Sequence, residues 1–548
     1  MSYSKGTKVV NPEEALSKIR DGSIVAVSGF NMLTTPEYLL LKLYELYKRT
    51  GHPKDLFFIS DTLPAAPNMG FDLIAKDIYE NKDYGFLRGV LFPYVGWSEY
   101  TQKLILENLI EGYTWPIGIM AWWFREVACG RPGVLTKVGL GTFLDPRYEG
   151  GLLNDLARER KTYRVTLVSL DGEEYLLYKG PKPNVALIRG TTADEMGNVR
   201  MEEEGILGTV LNIAQASKAG REKGLVVAQV LRVTPFGGIK PKEVTVPGPL
   251  IDYIVIAPRE RHKQSASIDY DPLIAGVVIP SKSMTAYASS NELNTRKVVA
   301  RRVALEMSRL VMKFGRPIII NLGIGIPAEV ARVVLEEEIT DYIFPTVESG
   351  PWGGDALYGA DFGASRGPYA ILHMPDQFAL YEGGIIDAAS LGFMQINERG
   401  DVNPSVVANR VTGPGGFPVI SSGSPRIYFA GEFTAGDRDI EVKNGQLLIN
   451  KDGPVLKFVK TLNKTVWNAS EGLKKGQEVM YITERAVFKL TPNGLKLIEV
   501  APNIDIEKHI LSKMEFKPII EDYELMDPRL FKEGKVGLKE EIEKALRR

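Results

Sequence analysis

Short apolar runs alternate with longer amphipathic stretches through most of the first half of this 548-residue chain. IVAVSGF (24–30) is one such run, ending in Gly, and Pro36 then opens the leucine-rich stretch PEYLLLKLYELYKRTG, with Gly51 as its stop signal. DLFFIS (55–60), GVLFPYV (89–95), VALIRGT (185–191), GLVVAQV (224–230) and YIVIAP (253–258) repeat the buried-strand signature, several of them separated by helical segments. Strands apolar on both faces and alternating with helices predict parallel sheets covered on both sides. The second half restates the pattern. PIIINLGIGIP (317–327), followed by AEVARVVLEEE, matches the strand, Gly turn, Pro and helix of IVAVSGFNMLTTP. VALIRGTTADEMGNV (185–199) is echoed by ASLGFMQINERGDV (389–402), each with an acidic residue two places before a Gly turn. Because both echoes come in the same order, the fold class is α/β, with two related open domains. The junction is the weakly patterned polar stretch before a helix that resumes near Thr295. The domains are therefore placed at 1–288 and 289–548. After residue 440 short β-like runs with turns predict a β-rich lobe closing the second domain.

Composition narrows the function. A net charge of −1 leaves no global basic field for nucleic acid or an anionic membrane surface. No apolar run approaches the roughly eighteen residues that span a bilayer, and no signal-peptide pattern opens the chain, so a cytoplasmic protein is expected. Cys129 is the single cysteine, which rules out an internal disulfide framework and a thiolate metal site; it reads as a small core residue. Arg301 and Arg302 read as part of a solvated helix face. The four histidines, His52, His262, His373 and His509, are scattered without ligand spacing, so no metal site is expected.

Chemistry concentrates in DYIFPTVESGPWGGD (341–355). A strand delivers Glu348 into a loop holding Gly350, Gly353 and Gly354, where backbone can approach a ligand closely. Taken alone, that carboxylate is a nucleophile, a general base, a metal ligand, a ribose clamp or a turn cap. NLGIGIPA supplies G-x-G-x-x-A with Glu348 lying 25 residues beyond Gly323, which mimics a dinucleotide fingerprint. Pro327 in the first helical turn removes an N–H that a pyrophosphate would use, and a ribose clamp has no need of the second Gly-rich loop. A third glycine cluster, TGPGGF (412–417), follows the second echo. Three such turns converging on one carboxylate would make a site that stabilises an oxyanion.

These motifs, with GLGTFLDPR (139–147), QFALYEGGIIDAASLGFMQINERGDVNPS and VMYITERAVFKLTPNGLKLIEVAP, resemble family I coenzyme A transferases nearly end to end. The likeness is greatest to the single-chain acetate/propionate branch, in which α-like and β-like halves are fused. The resemblance implies a homodimer or homotetramer, with no permanently bound cofactor and with coenzyme A, acyl-CoA and small carboxylic acids as substrates. It implies that Glu348 attacks an acyl-CoA carbonyl, forming an acyl–glutamyl anhydride and then a γ-glutamyl-CoA thioester. Such a carboxylate is expected to be ionised at neutral pH without a partner base. The resemblance assigns oxyanion and CoA contacts to Asn321, Gly323, Gly325, Gly415 and Gly416. It places Phe30, Asn31, Ile117, Gly118 and Gln377 at the acid pocket, near which Trp115, Trp122 and Trp123 are core aromatics or further lining. The chain departs from the family where Pro-Gln-Gly is usual, carrying Ile117 in the middle position. It also has Ser28 before Gly29, and Thr34 where Gly is frequent. An apolar Ile117 suits a more hydrophobic acyl group or weakens oxyanion support. The alternatives are an acyl-CoA hydrolase on the same scaffold and a non-catalytic effector-binding protein.

Overall fold

A computed structural model describes residues 8–278, 292–404 and 410–547. The first half is built on seven strands, all paired in parallel: β1 (Ile24–Val27), β2 (Leu56–Ser60), β3 (Leu87–Leu91), β4 (Glu111–Tyr113), β5 (Val185–Arg189), β6 (Leu225–Val230) and β7 (Tyr253–Ile256). Their spatial order is β7-β6-β5-β1-β2-β3-β4. The leucine-rich run forms α1 (Glu37–Thr50), ended as expected by Gly51 in the left-handed conformation, φ 74°. A second helix, α2 (Ile117–Ala128), follows Pro116.

The second half opens on α3 (Thr295–Phe314), whose first turn is capped by the Asn294 side chain accepting from the Lys297 N–H. It continues with β8 (Ile318–Leu322), α4 (Ile326–Glu336), β9 (Ile343–Thr346), α5 (Met374–Glu382), β10 (Ala388–Gly392), α6 (Phe417–Gly423), β11 (Arg426–Ala430) and β12 (Glu478–Ile482). The order β12-β11-β10-β8-β9 reproduces β7-β6-β5-β1-β2 strand for strand, again all parallel. The sequence echoes are therefore structural. IVAV corresponds to IIINL as β1 to β8, and VALIR to AASLG as β5 to β10. The expected boundary at 288/289 lies outside the described residues.

The C-terminal β-rich stretch is joined to this sheet. Strands Ala486–Thr491 and Gly494–Val500 continue it antiparallel from β12, whereas the hairpin Asp439–Lys443 with Gln446–Lys451 and the pair Thr434–Ala435 with Val455–Leu456 stand apart. Arg301 and Arg302 do not form a solvated face; each is 1% exposed. The chain near its C-terminus covers α3, so Arg301 donates to the Lys532 carbonyl and Arg302 pairs with Glu499 and Glu306. A helix covered on several sides shows no polar face to its own periodicity. Cys129 is likewise not a core residue. It caps the C-terminus of α2 and is exposed.

Candidate active site

The C-terminal ends of β1, β2, β8 and β10 open onto one cavity of about 180 Å³. In open parallel sheets this is the side on which ligands bind. Glu348 sits in its wall, two residues beyond β9. The turn that presents it is tightly held. The Val347 N–H donates to the Pro351 carbonyl, the Gly350 N–H to the Val347 carbonyl, and the Ser349 hydroxyl to the Gly363 carbonyl. Gly350 has φ 132°, and a Cβ there would fall 2.2 Å from the Leu372 oxygen, so only glycine closes this turn.

Glu348 accepts no hydrogen bond and pairs with no cation among the described residues. Burial against apolar walls, unopposed by any charge or donor, raises its carboxyl from 4.5 to about 7. Desolvation therefore works against the ionisation expected of this carboxylate at neutral pH. Gly416 packs directly on the carboxylate, where a Cβ would lie 1.7 Å from Oε2. The TGPGG turn is anchored to the first half of the chain. The Gly415 N–H donates to the Pro93 carbonyl, while the Gly415 carbonyl accepts from the Ile117 N–H. Of the two glycines expected as donors, Gly415 therefore has its N–H committed. No internal partner for the Gly416 N–H is seen among the described residues.

Beneath the carboxylate lies a buried polar knot centred on Tyr381. Its hydroxyl meets Asn321 Nδ2 at 3.1 Å, Thr346 Oγ1 at 3.0 Å and Gln377 Nε2 at 2.6 Å, and Gln377 Oε1 in turn accepts from Trp352 Nε1 at 2.8 Å. Asn321 Nδ2 also donates to the Thr346 carbonyl. The knot thus ties the β8 turn to the strand bearing Glu348. Both Asn321 amide hydrogens are used, and Oδ1 is left without a partner.

Of the residues expected here, Glu348, Asn321, Gly323, Gly415, Gly416, Phe30, Asn31 and Ile117 line the cavity. Gln377 and Gly118 do not. Gln377 is fully buried in the Tyr381 knot, and Gly118 lies beneath the Phe378 ring, where a Cβ would come within 2.6 Å. Gly118 therefore permits α2 to pack on α5. Gly325, with φ 89°, is exposed outside the lining and stands at the start of α4. The Gly323 N–H is taken by the Ser390 carbonyl. Trp115 and Trp123 pack edge-on against each other and against Tyr163, and Trp122 donates to the Pro375 carbonyl, so all three are structural. Tyr94, Trp97, Thr62, Phe362 and Leu391 are further wall residues. Tyr94 and Trp97 sit in the loop just past β3, and that position beyond a parallel strand was the available signal.

The two departures on the first glycine turn answer each other. Thr34 adopts φ 57°, a conformation ordinarily left to Gly, and the Ser28 hydroxyl donates to the Thr34 carbonyl at 2.7 Å. Among the described residues, no group of three or more His, Cys, Asp or Glu is placed to hold a metal.

The family model described as coenzyme A transferase matches residues 9–257. The chain is 37% identical over 538 residues to a caffeate CoA-transferase of Acetobacterium woodii, covering 97% of this chain and 98% of that one. It is 35% identical over 532 residues to the acetate CoA-transferase YdiF of Escherichia coli K12, covering 96% of each. The structure superposes on the acyl-CoA transferase YdiF of E. coli O157:H7, in a thioester complex with CoA, with a TM-score of 0.85, 34% identity and 97% of each chain covered.

Proposed function

This chain belongs to the coenzyme A transferase family and is an enzyme that moves CoA between an acyl-CoA and a free carboxylic acid; we propose that it does so through a covalent thioester on Glu348. The observation that carries this reading is a lone, desolvated carboxylate in a cavity wall, with Gly416 packed on one of its oxygens. The thioester complex of the E. coli relative supports the same intermediate type.

The steps follow from the residue. Ionised Glu348 attacks the acyl-CoA carbonyl, and the C–S bond breaks to give a mixed anhydride and CoA thiolate. The thiolate then attacks the glutamyl carbonyl, releasing the donor acid and leaving γ-glutamyl-CoA. The acceptor carboxylate runs the sequence backwards, so no proton is gained or lost overall. A carboxylate stripped of hydrogen bonds is a stronger nucleophile than a solvated one, at the cost of being partly protonated near pH 7. The Gly416 N–H is the donor we assign to the developing oxyanion; such a donor is worth about 3–4 kcal/mol of barrier. The turn carrying Asn321 and Gly323 is assigned to the CoA arm, whose binding energy drives the reacting centre toward its transition state. Apolar walls disfavour attack by water on the thioester, which supports transfer over the hydrolase alternative.

Glu348→Ala is expected to abolish exchange while leaving the fold intact, and ordinary exchange activity in that variant would overturn the assignment. Incubation with acyl-CoA should add a CoA-sized mass to the peptide containing Glu348. Absence of that adduct would favour the effector-binding alternative. We further propose a cytoplasmic homo-oligomer, to be checked by sedimentation. No helix among the described residues is long and apolar enough to cross a membrane.

A further inference from the structure

The acids exchanged are constrained by the wall facing Glu348. Its aromatic and branched aliphatic residues include Phe30, Tyr94, Trp97, Ile117, Phe362 and Phe417. Phe30 and Phe362 lean on each other with ring centroids 6.0 Å apart, and Ile117 is held in place by its N–H bond to the Gly415 carbonyl. Glu348 is the only charged residue lining the cavity among the described residues. Arg410, whose charge reaches the Tyr94 hydroxyl, is exposed and lies outside the lining. Ile324 lines the cavity yet is 55% exposed, which marks the mouth through which a long thioester arm can pass.

Size and polarity then decide. A volume of about 180 Å³ exceeds the roughly 150 Å³ of an apolar cavity that takes up benzene. An acetyl group would leave most of that wall unfilled, and each added buried methylene contributes to binding. A second carboxylate on the substrate would have to lie in the same apolar space as Glu348 with no cation to meet it, which is a strongly unfavourable burial. Ile117 lines the cavity and offers a hydrophilic acid no polar partner.

Resting on the transfer reading above, we propose that this site selects apolar monocarboxylic acids with a body of about six carbons, aryl or straight-chain, over acetate and over dicarboxylic acids. The body would lie against Phe30, Ile117 and Phe362.

The test uses the full-length protein with acetyl-CoA as donor and acetate, hexanoate, phenylacetate and succinate as separate acceptors. Acetyl-to-acetate exchange is followed with isotopically labelled acetate. Expected is a kcat/KM for hexanoate or phenylacetate at least tenfold above that for acetate, with succinate slower than either by at least a hundredfold. Acetate equal to or faster than the six-carbon acids, or succinate within tenfold of them, overturns the proposal. Preference for only one of hexanoate and phenylacetate narrows the body to a chain or a ring and upholds it. In Ile117→Gln the hexanoate-to-acetate ratio should fall about tenfold, whereas Ile117→Leu should keep it. Taking the ratio within one preparation, with active sites counted by the glutamyl-CoA adduct, removes any effect of misfolding. An unchanged ratio in a folded Ile117→Gln overturns the role given to Ile117. If no acid accepts CoA at all, the transfer reading fails. Selectivity is then read from quenching of tryptophan fluorescence by the free acids, since Trp97 lines the cavity. Tighter binding of hexanoate than of acetate and succinate upholds the pocket assignment, and equal binding overturns it.

Discussion

The Gly416 Cα rests so close to Glu348 Oε2 that a single methyl group there would sit 1.7 Å from the oxygen. That contact couples two loops of the second half of the chain, one past β9 and one before α6. It fixes where the carboxylate can stand. Gly416 has φ −82°, so alanine is allowed by the backbone and the clash is confined to the site.

Gly416→Ala should therefore fold normally and lose activity. The carboxylate must rotate away from its position, and a misplacement of about 1 Å is worth on the order of 10²-fold in rate. Steady-state kinetics should show that loss in kcat with an unchanged far-UV circular dichroism spectrum. A variant within threefold of the parent would show that the contact does not set the geometry.

The raised carboxyl of Glu348 has consequences of definite sign. Only the ionised form attacks, so kcat/KM for acyl-CoA should rise with pH through about 7 and then level off. Stability moves the other way. Between its ordinary value of 4.5 and about 7 the folded protein holds a proton that the unfolded chain has released, so stability falls as pH rises through that window and is level above it. Glu348→Gln lacks this dependence. It should gain on the parent across the same window by about 1–3 kcal/mol, discounted for partial exposure, with no gain below pH 4. Urea titrations at pH 4, 6 and 8 measure it.

Tyr381→Phe removes the hub of the buried knot and leaves donors on Asn321 and Gln377 without their acceptor. Orphaned buried groups cost roughly 1–3 kcal/mol in total stability here. Because the knot joins the β8 turn to the Glu348 strand, kcat should fall about tenfold with a smaller change in KM. Loss of stability with no change in kcat would confine Tyr381 to a structural role.

Arg302 lies away from the cavity and pairs with Glu499 at 2.7 Å and Glu306 at 2.9 Å. Arg302→Met strands Glu499 in a largely buried place, while Glu306 keeps Arg309, and should destabilise by roughly 3–5 kcal/mol. The activity of the remaining folded enzyme should be unchanged, which chemical denaturation and active-site counting together would establish.

Much of this was written locally. Apolar runs long enough for a strand, Gly51 stopping α1 and a helix resuming near Thr295 are decisions made by a few neighbouring residues, and they are legible as such. The duplication is legible too, because two copies of one fold need the same order of strands and turns. Glu348 stands out as a carboxylate between a strand and a run of glycines, although that setting alone suits a turn cap as well as a nucleophile, and the family resemblance is what separates them. What the sequence by itself could not determine is how distant segments cover one another. Arg302 reads as solvated until a C-terminal segment closes over α3, and Gln377 reads as a pocket residue until Tyr381 and Trp352 claim its amide. Tyr94 and Trp97 become pocket walls only when the loop after β3 meets the loop before α6. The proton affinity of Glu348 is the clearest case. It is set by desolvation, and desolvation is produced by residues hundreds of positions apart that only the tertiary structure brings against one carboxylate.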